Sequence, residues 1–296
     1  MLLPSILERL TALQPDLGNR VRTFTDSRDS IFRARAEEFF GRYQAFLASQ
    51  GQSLEWGIEC FLHLQQTVDK LREQFLQTGR YANTSFDEVN RSVYSNPEAM
   101  QKHMHGLVFA QFLWPDQYRR FQFFADHLPV YGGDIQRYLE IGGGHALYLS
   151  EAARSLPHAV IDMVDISETS FAMAKGIAAE PRIHYHLMNV FDFPDGQYDF
   201  ITMGEVLEHV EDPRELLGKL RRLLAPGGRA YLTTPANAPM PDHIYLFRNA
   251  QEIRDMLTSC GFQIERETHR YAVDNIRETL AERLKIPLMY AAFLTV

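Results

Sequence analysis

Seven consecutive residues, Leu139-Glu140-Ile141-Gly142-Gly143-Gly144-His145, combine an acid with three glycines between an apolar run and a helical run. A glycine turn of this kind leaves no Cβ between backbone and ligand, and its N–H groups face whatever sits there. A second acid, Asp165, lies 21 residues beyond Gly144. A dinucleotide turn needs a third glycine for close helix packing, and that position is Leu147. Glu140 would also repel a pyrophosphate. The chemistry predicted is therefore that of a nucleoside carrying an amino-acid tail rather than a phosphate. A third cluster, Glu205, Glu208 and His209, falls at i, i+3 and i+4. On a helix these share one face. With His243 as a fourth donor they suit Mg²⁺, Mn²⁺ or Fe²⁺. The same carboxylates can equally cap helices, with the histidine shaping an acceptor pocket, so a divalent metal is an admissible cofactor rather than the favoured one.

The order of elements around these residues is that of an α/β sheet. Arg137–Ile141, Val160–Val164, Ile183–Met188, Phe200–Met203 and Arg229–Thr233 read as strands. Residues 145–155, 168–178, 213–224 and 250–260 read as helices, the last capped by Asn249 and stopped by Gly261. This alternation predicts a parallel sheet covered on both faces, with ligands at the carboxyl ends of its strands. Before Tyr131-Gly132-Gly133 the grain is helical. Apolar residues recur at helical spacing from Ile31 to Leu47 and from Leu54 to Phe75, and Asn96-Pro97-Glu98 opens a further helix. The predicted division is residues 1–130, a helical lid or substrate domain, and residues 131–296, a cofactor domain.

The motifs together resemble the class I S-adenosylmethionine-dependent methyltransferases, over roughly residues 135–296. Glu140-Ile141-Gly142-Gly143-Gly144 matches their first motif, with Ala146 where a third glycine is usual. The resemblance implies a Rossmann-like sheet binding S-adenosylmethionine. It implies that Glu140 organises the methionine amino group, directly or through water, and that Gly142, Gly143 and Gly144 admit the cofactor. Asp165, beside Ile166, would take the ribose hydroxyls. Asn189 would bond the adenine amine, and Val190 would meet the ring. Tyr198 to Val210, with Gly204 and Glu205, is the fourth motif, and Leu223 to Arg229 precedes the fifth strand. The Glu205–His209 segment is similar to a metal site of small-RNA 2′-O-methyltransferases and to the corresponding segment of ubiquinone-pathway O-methyltransferases.

The activity so implied is methyl transfer to a small metabolite under an N-terminal helical lid. His209, His105, Tyr94 and Gln111 are the catalytic candidates, with His243 a further candidate base. Relatives with such a lid also cyclise the cofactor itself, the amino group attacking its own Cγ to give azetidine-2-carboxylate and methylthioadenosine. A cofactor-binding scaffold without turnover is the third reading.

A net charge of −8 disfavours nucleic acid or an anionic membrane as partner. Two distant cysteines, Cys60 and Cys260, form no disulfide framework and suit a reducing, cytoplasmic setting. The first ten residues do not read as a signal peptide, and no apolar run reaches membrane-spanning length. The aromatic surplus in the helical region predicts either a closed interior or a homodimer contact.

Overall fold

The computed structural model of the chain describes residues 1–273 and 275–296. The N-terminal region is helical throughout. Helix α1 spans Leu2–Leu13, α2 Pro15–Asp26, α3 Ser30–Ser49 and α4 Leu54–Thr78. Local chemistry sets their ends. The Asp29 carboxylate accepts from the Phe32 N–H at 2.8 Å to start α3, and the Ser53 hydroxyl accepts from Trp56 N–H to start α4. A left-handed Gly79 closes α4. The short α5, Phe86–Val89, runs into a π-helical turn, Asn90–Tyr94. Helix α6, Pro97–Leu113, starts on the Asn96 cap with Pro97 in its first turn. It is buried on nearly every side because α2, α4 and α7 (Pro115–Tyr131) all pack against it. Gly106 makes the α4–α6 approach possible: a Cβ there would lie 2.8 Å from Leu64 Cβ and 2.9 Å from the Cys60 carbonyl oxygen.

The remaining chain winds β1 (Arg137–Ile141), α8 (Leu147–Ser155), β2 (Val160–Asp165), α9 (Glu168–Ala178), β3 (Ile183–Leu187) and β4 (Tyr198–Gly204). It continues through α10 (Pro213–Leu223), β5 (Leu224–Ala236), α11 (Ala250–Ser259), β6 (Gln263–Tyr271), α12 (Glu278–Arg283) and β7 (Leu288–Thr295). The seven strands order as β3-β2-β1-β4-β5-β7-β6. The five strands read from sequence are present and mutually parallel. The expectation of a wholly parallel sheet is corrected at one edge, where β7 runs antiparallel to both β5 and β6. The two added strands carry weak signals. Strand β6 is largely exposed and charged, and β7 is a continuous apolar run whose period cannot separate strand from helix.

The compositional break near residue 131 is not a break in packing. Phe124 of α7 packs on Tyr231 with ring centroids 5.0 Å apart, and Phe123 on Phe293 at 5.4 Å. One hydrophobic core runs from Leu3 and Phe40 through Phe121 to Tyr138 and Phe293. Helix α7 thus belongs to the sheet's cover, and the other helices build outward from it. Among the described residues, no helix is long and apolar enough to cross a membrane.

Candidate functional site

A cavity of about 980 Å³ lies at the carboxyl ends of β1, β2, β4 and β5, beside the point where strand order reverses between β1 and β4. Its outer wall comes from α2, α4 and α6, with Val21, Phe24, Met100 and Leu107 among the apolar contributors.

The glycine turn forms as its sequence demands. Gly142 has φ +73° and donates its N–H to the Val164 carbonyl at 2.9 Å. A Cβ on Gly142 would sit 2.6 Å from Val206 Cγ2, so only glycine fits between the first and fourth motifs. Gly142 and Gly144 line the cavity. Glu140 and Gly143 do not. The Glu140 carboxyl folds beneath Gly143 and accepts from the Tyr138 hydroxyl at 3.1 Å. Glu140, expected to organise an amino group directly or through water, thus sits behind the cavity surface, against Gly143 and Tyr138.

Burial raises Glu140 from 4.5 to about 8. Because its folded pKa lies above its unfolded one, this contribution to stability is complete below the ordinary carboxylate range. It is lost as pH rises toward 8. Glu140→Gln should remove that slope, reducing the stability lost between pH 5 and 8.5 by about 1–3 kcal/mol. Urea denaturation at the two pH values measures it, and an unchanged difference would count against the buried neutral acid.

Asp165 ends β2 on the cavity wall. Its Oδ1 accepts from the Ser167 N–H at 2.8 Å, and burial raises it to about 7 against that bond. Half-exposed Ile166 follows on the same wall. Asn189 and Val190 line the cavity beyond β3, but the Asn189 amide oxygen already accepts from Phe191 N–H at 3.0 Å. The oxygen expected to meet adenine is thus engaged in its own turn.

The Glu205–His209 segment departs from the helical expectation. Only Leu207–His209 makes a single 3₁₀ turn, and Glu205 precedes it at φ +54°. The three side chains therefore separate. Glu205 accepts from Thr233 Oγ1 at 2.9 Å and ion-pairs with Arg120 of α7. Glu208 turns inward, where Oε2 accepts from Thr234 at 2.8 Å. His209 faces the cavity. The loop after β5 brings Asp242 and His243 to the same place, and α6 brings His103.

This cluster is the most polar part of the wall. His209 Nδ1 donates to the Asp242 carbonyl oxygen at 2.9 Å, and His243 Nδ1 donates to the Ala238 carbonyl at 2.7 Å. Both imidazoles thereby turn Nε2 toward Glu208 Oε1, at 3.9 and 3.7 Å. The Asp242 carboxylate lies 3.3 Å from His103 Nε2 and 3.6 Å from His209 Nδ1. Although burial opposes it, these imidazoles hold Asp242 well below the usual carboxylate range. Burial alone would lower His209, but the Asp242 and Glu208 charges outweigh it and raise the ring. Burial and the neighbouring His209 push His243 down to about 3.

Tyr94 reaches the cluster from the π-helical turn, its hydroxyl 3.5 Å from His209 Nδ1. Gln111 lines the cavity, with Nε2 bonded to the Leu107 carbonyl at 3.3 Å and Oε1 without a partner among the described residues. His105 is the candidate the fold removes. It points away from the cavity into the helical core, where Tyr43 Oη bonds its Nδ1 at 2.8 Å and Trp56 packs edge-on at 4.6 Å. The buried Arg120 had no sequence signal, since it reads as one of several charges on an amphipathic helix. Among the expected metal candidates, Glu208, His209 and His243 gather ligand atoms within 4.8 Å of one another, and Glu205 is not among them.

A family model described as "Methyltransferase domain" matches residues 100–271, more than half of the chain. A ubiquinone biosynthesis O-methyltransferase of Xanthomonas oryzae is 32% identical over 108 residues, covering 35% of this chain and 44% of the relative. One from Coxiella burnetii is 28% identical over 138 residues, covering 45% and 55%. The match thus spans about half the length of these relatives. The fold is shared with phosphoethanolamine N-methyltransferase 2 of Haemonchus contortus, solved with S-adenosyl-L-methionine, at TM-score 0.50 and 15% identity over 71% of this chain and 60% of that one. With its glycine turn, strand order and matched segment, the chain belongs to the class I S-adenosylmethionine-dependent methyltransferase family.

Proposed function

We infer that this chain transfers the methyl group of S-adenosylmethionine to a hydroxyl of a small molecule held between the sheet and the helical layer. The observation that carries this reading is the cavity at the strand ends. Its volume of about 980 Å³ is at the upper end for small-molecule sites, room for a nucleoside and an acceptor together. The likeness to O-methyltransferases of ubiquinone biosynthesis supports a hydroxyl acceptor.

The residues present fit the cofactor. Gly142 and Gly144 leave the turn without side chains. Asp165 offers a buried carboxylate at the β2 end for a vicinal diol, which its two oxygens can accept. Ile166, Asn189 and Val190 form the adenine wall. When bound, the cofactor supplies a methyl carbon activated by positive sulfur. The protein's own work is then positioning and proton removal. His209 is the base in this reading: its Nδ1–H is committed to the Asp242 carbonyl, which leaves Nε2, 3.9 Å from Glu208 Oε1, as the ring's proton acceptor. The Tyr94 hydroxyl stands 3.5 Å from the same ring's Nδ1, and Gln111 lines the same cavity. The helices before α7, which build the cavity's outer wall, act as the lid that excludes water from the sulfonium, and an aromatic face such as that of Tyr94 stabilises such a cation by ~0.5–2 kcal/mol.

A specific observation favours a second reading of the same cluster. Glu208 Oε1 is buried without a hydrogen-bond partner among the described residues, and two imidazole Nε2 atoms converge on it. Both rings are oriented by backbone carbonyls, as metal-bound histidines usually are. These three residues would hold a divalent cation, and His209 would then be a ligand instead of the base.

One assay tests both. The protein is incubated with S-adenosylmethionine, with and without hydroxylated acceptors, in Mg²⁺ and in EDTA. S-adenosylhomocysteine formed only with an acceptor is the expected result. Methylthioadenosine with a cyclic amino acid, formed without acceptor, would replace methyl transfer by cyclisation. Binding without any product would leave a scaffold. Full turnover in EDTA would end the metal reading, whereas loss restored by Mg²⁺ or Mn²⁺ would establish it.

A further inference from the structure

The buried guanidinium of Arg120 has no part in the reading above. It stands on α7 with 3% of its side chain exposed, and its Nε and Nη2 have no hydrogen-bond partner among the described residues. A cation so enclosed persists only when a carboxylate compensates it. Glu205 is that carboxylate, with Asp116 one turn back adding its charge.

Glu205 itself is not enclosed. Its side chain is 27% exposed and lines the cavity. The Oε1 atom that meets Arg120 also accepts from Thr233, so one oxygen is held from two sides. The other oxygen has no partner among the described residues. The backbone of Glu205 lies in the left-handed region at φ +54°, which costs a residue with a Cβ and persists only where its surroundings enforce it. The next residue, Val206, fills the space a Gly142 Cβ would need. Arg120 and Thr233 therefore hold a strained carboxylate beside the glycine turn, with one oxygen left to the cavity.

The amino-acid end of S-adenosylmethionine carries an ammonium. Two acids stand near the turn that would receive it. Glu140 is folded behind the wall, and Glu205 faces inward. We propose that Glu205 receives this ammonium and that Arg120 is the positioning residue that aims it. The proposal rests on the cofactor reading above.

Calorimetric titration with two nucleosides tests it. S-adenosylhomocysteine has the amino-acid end, and 5′-methylthioadenosine keeps the adenosine but lacks that end. Glu205→Gln should weaken S-adenosylhomocysteine by about tenfold or more, as expected for a lost charged hydrogen bond, and leave 5′-methylthioadenosine unchanged. Arg120→Met should show the same selective loss. Arg120→Lys should recover part of it, since an ammonium restores the charge but not the planar fork. Equal losses for both nucleosides, or none in Glu205→Gln, would overturn the proposal. Should Arg120→Met fail to fold, Arg120→Lys and Glu205→Gln carry the same comparison. A wild-type protein that binds neither nucleoside overturns the cofactor reading itself, an outcome distinct from wild-type binding without selectivity in the variants.

Discussion

Replacing Asp165 with alanine is expected to weaken S-adenosylmethionine binding by on the order of a hundredfold or more, the effect of removing two hydrogen bonds to a charged acceptor at about 1.5–3 kcal/mol each. The competing account is that Asp165 merely caps the turn after β2, because Oδ1 already accepts from Ser167 N–H. Asp165→Asn separates the two. Its amide oxygen keeps the cap but removes one of the two acceptors a diol requires, so it should retain stability and still lose most of the affinity. The pH dependence adds a third readout. Burial raises Asp165 to about 7, so below that pH the free protein carries a proton there. A diol that donates to both oxygens binds the ionised form, and affinity should climb as pH rises through about 7. In Asp165→Asn that climb should be absent. Titration calorimetry at pH 6 and 8 decides it, and full affinity in Asp165→Asn would remove the ribose assignment.

The glycine turn and the strand ends of this site were legible in sequence because their geometry is local. Gly142 must be glycine since its own φ is positive and Val206 occupies its missing Cβ, and both partners lie in short motifs. Asp165 and Val190 sit where strands end, and strand ends follow from apolar runs and breakers. The reacting half was less legible because long-range packing builds it. His103 and Asp242 are 139 positions apart and meet only when α6 lies across the loop after β5. His105, two residues from His103, has the same residue type and helix yet faces Tyr43 and Trp56 instead. A helix periodicity alone does not say which neighbour each face will meet. The spacing of Glu205, Glu208 and His209 misled for the opposite reason. It presumed a helix, whereas the left-handed Glu205 and the bond from the Ile244 N–H to the Glu208 carbonyl break that geometry.

His209→Gln is expected to lower kcat by about 10²–10³ while leaving cofactor affinity within about twofold, the loss typical of a positioned general base. Nδ1–H is donated to the Asp242 carbonyl, which leaves Nε2, 3.9 Å from Glu208 Oε1, as the ring's acceptor. The ring is raised above its ordinary pKa because the Asp242 and Glu208 carboxylates outweigh desolvation. A base must be unprotonated to act, so kcat should rise with pH through a value above the ordinary imidazole range. Asp242→Asn removes the nearer charge and should move that acidic limb to lower pH; His209→Gln should abolish the limb. A merely structural His209 would lower stability and both kinetic constants without moving the limb. A histidine that serves as a metal ligand would give another pattern, with turnover lost in EDTA in the wild type and no recovery of His209→Gln at high pH. An unchanged kcat in His209→Gln would exclude both roles. The proton would then have to leave by another group in reach of the same point, and Tyr94, raised far above its ordinary pKa by burial and by Asp242, is too weak an acid to cycle there as an anion near neutral pH.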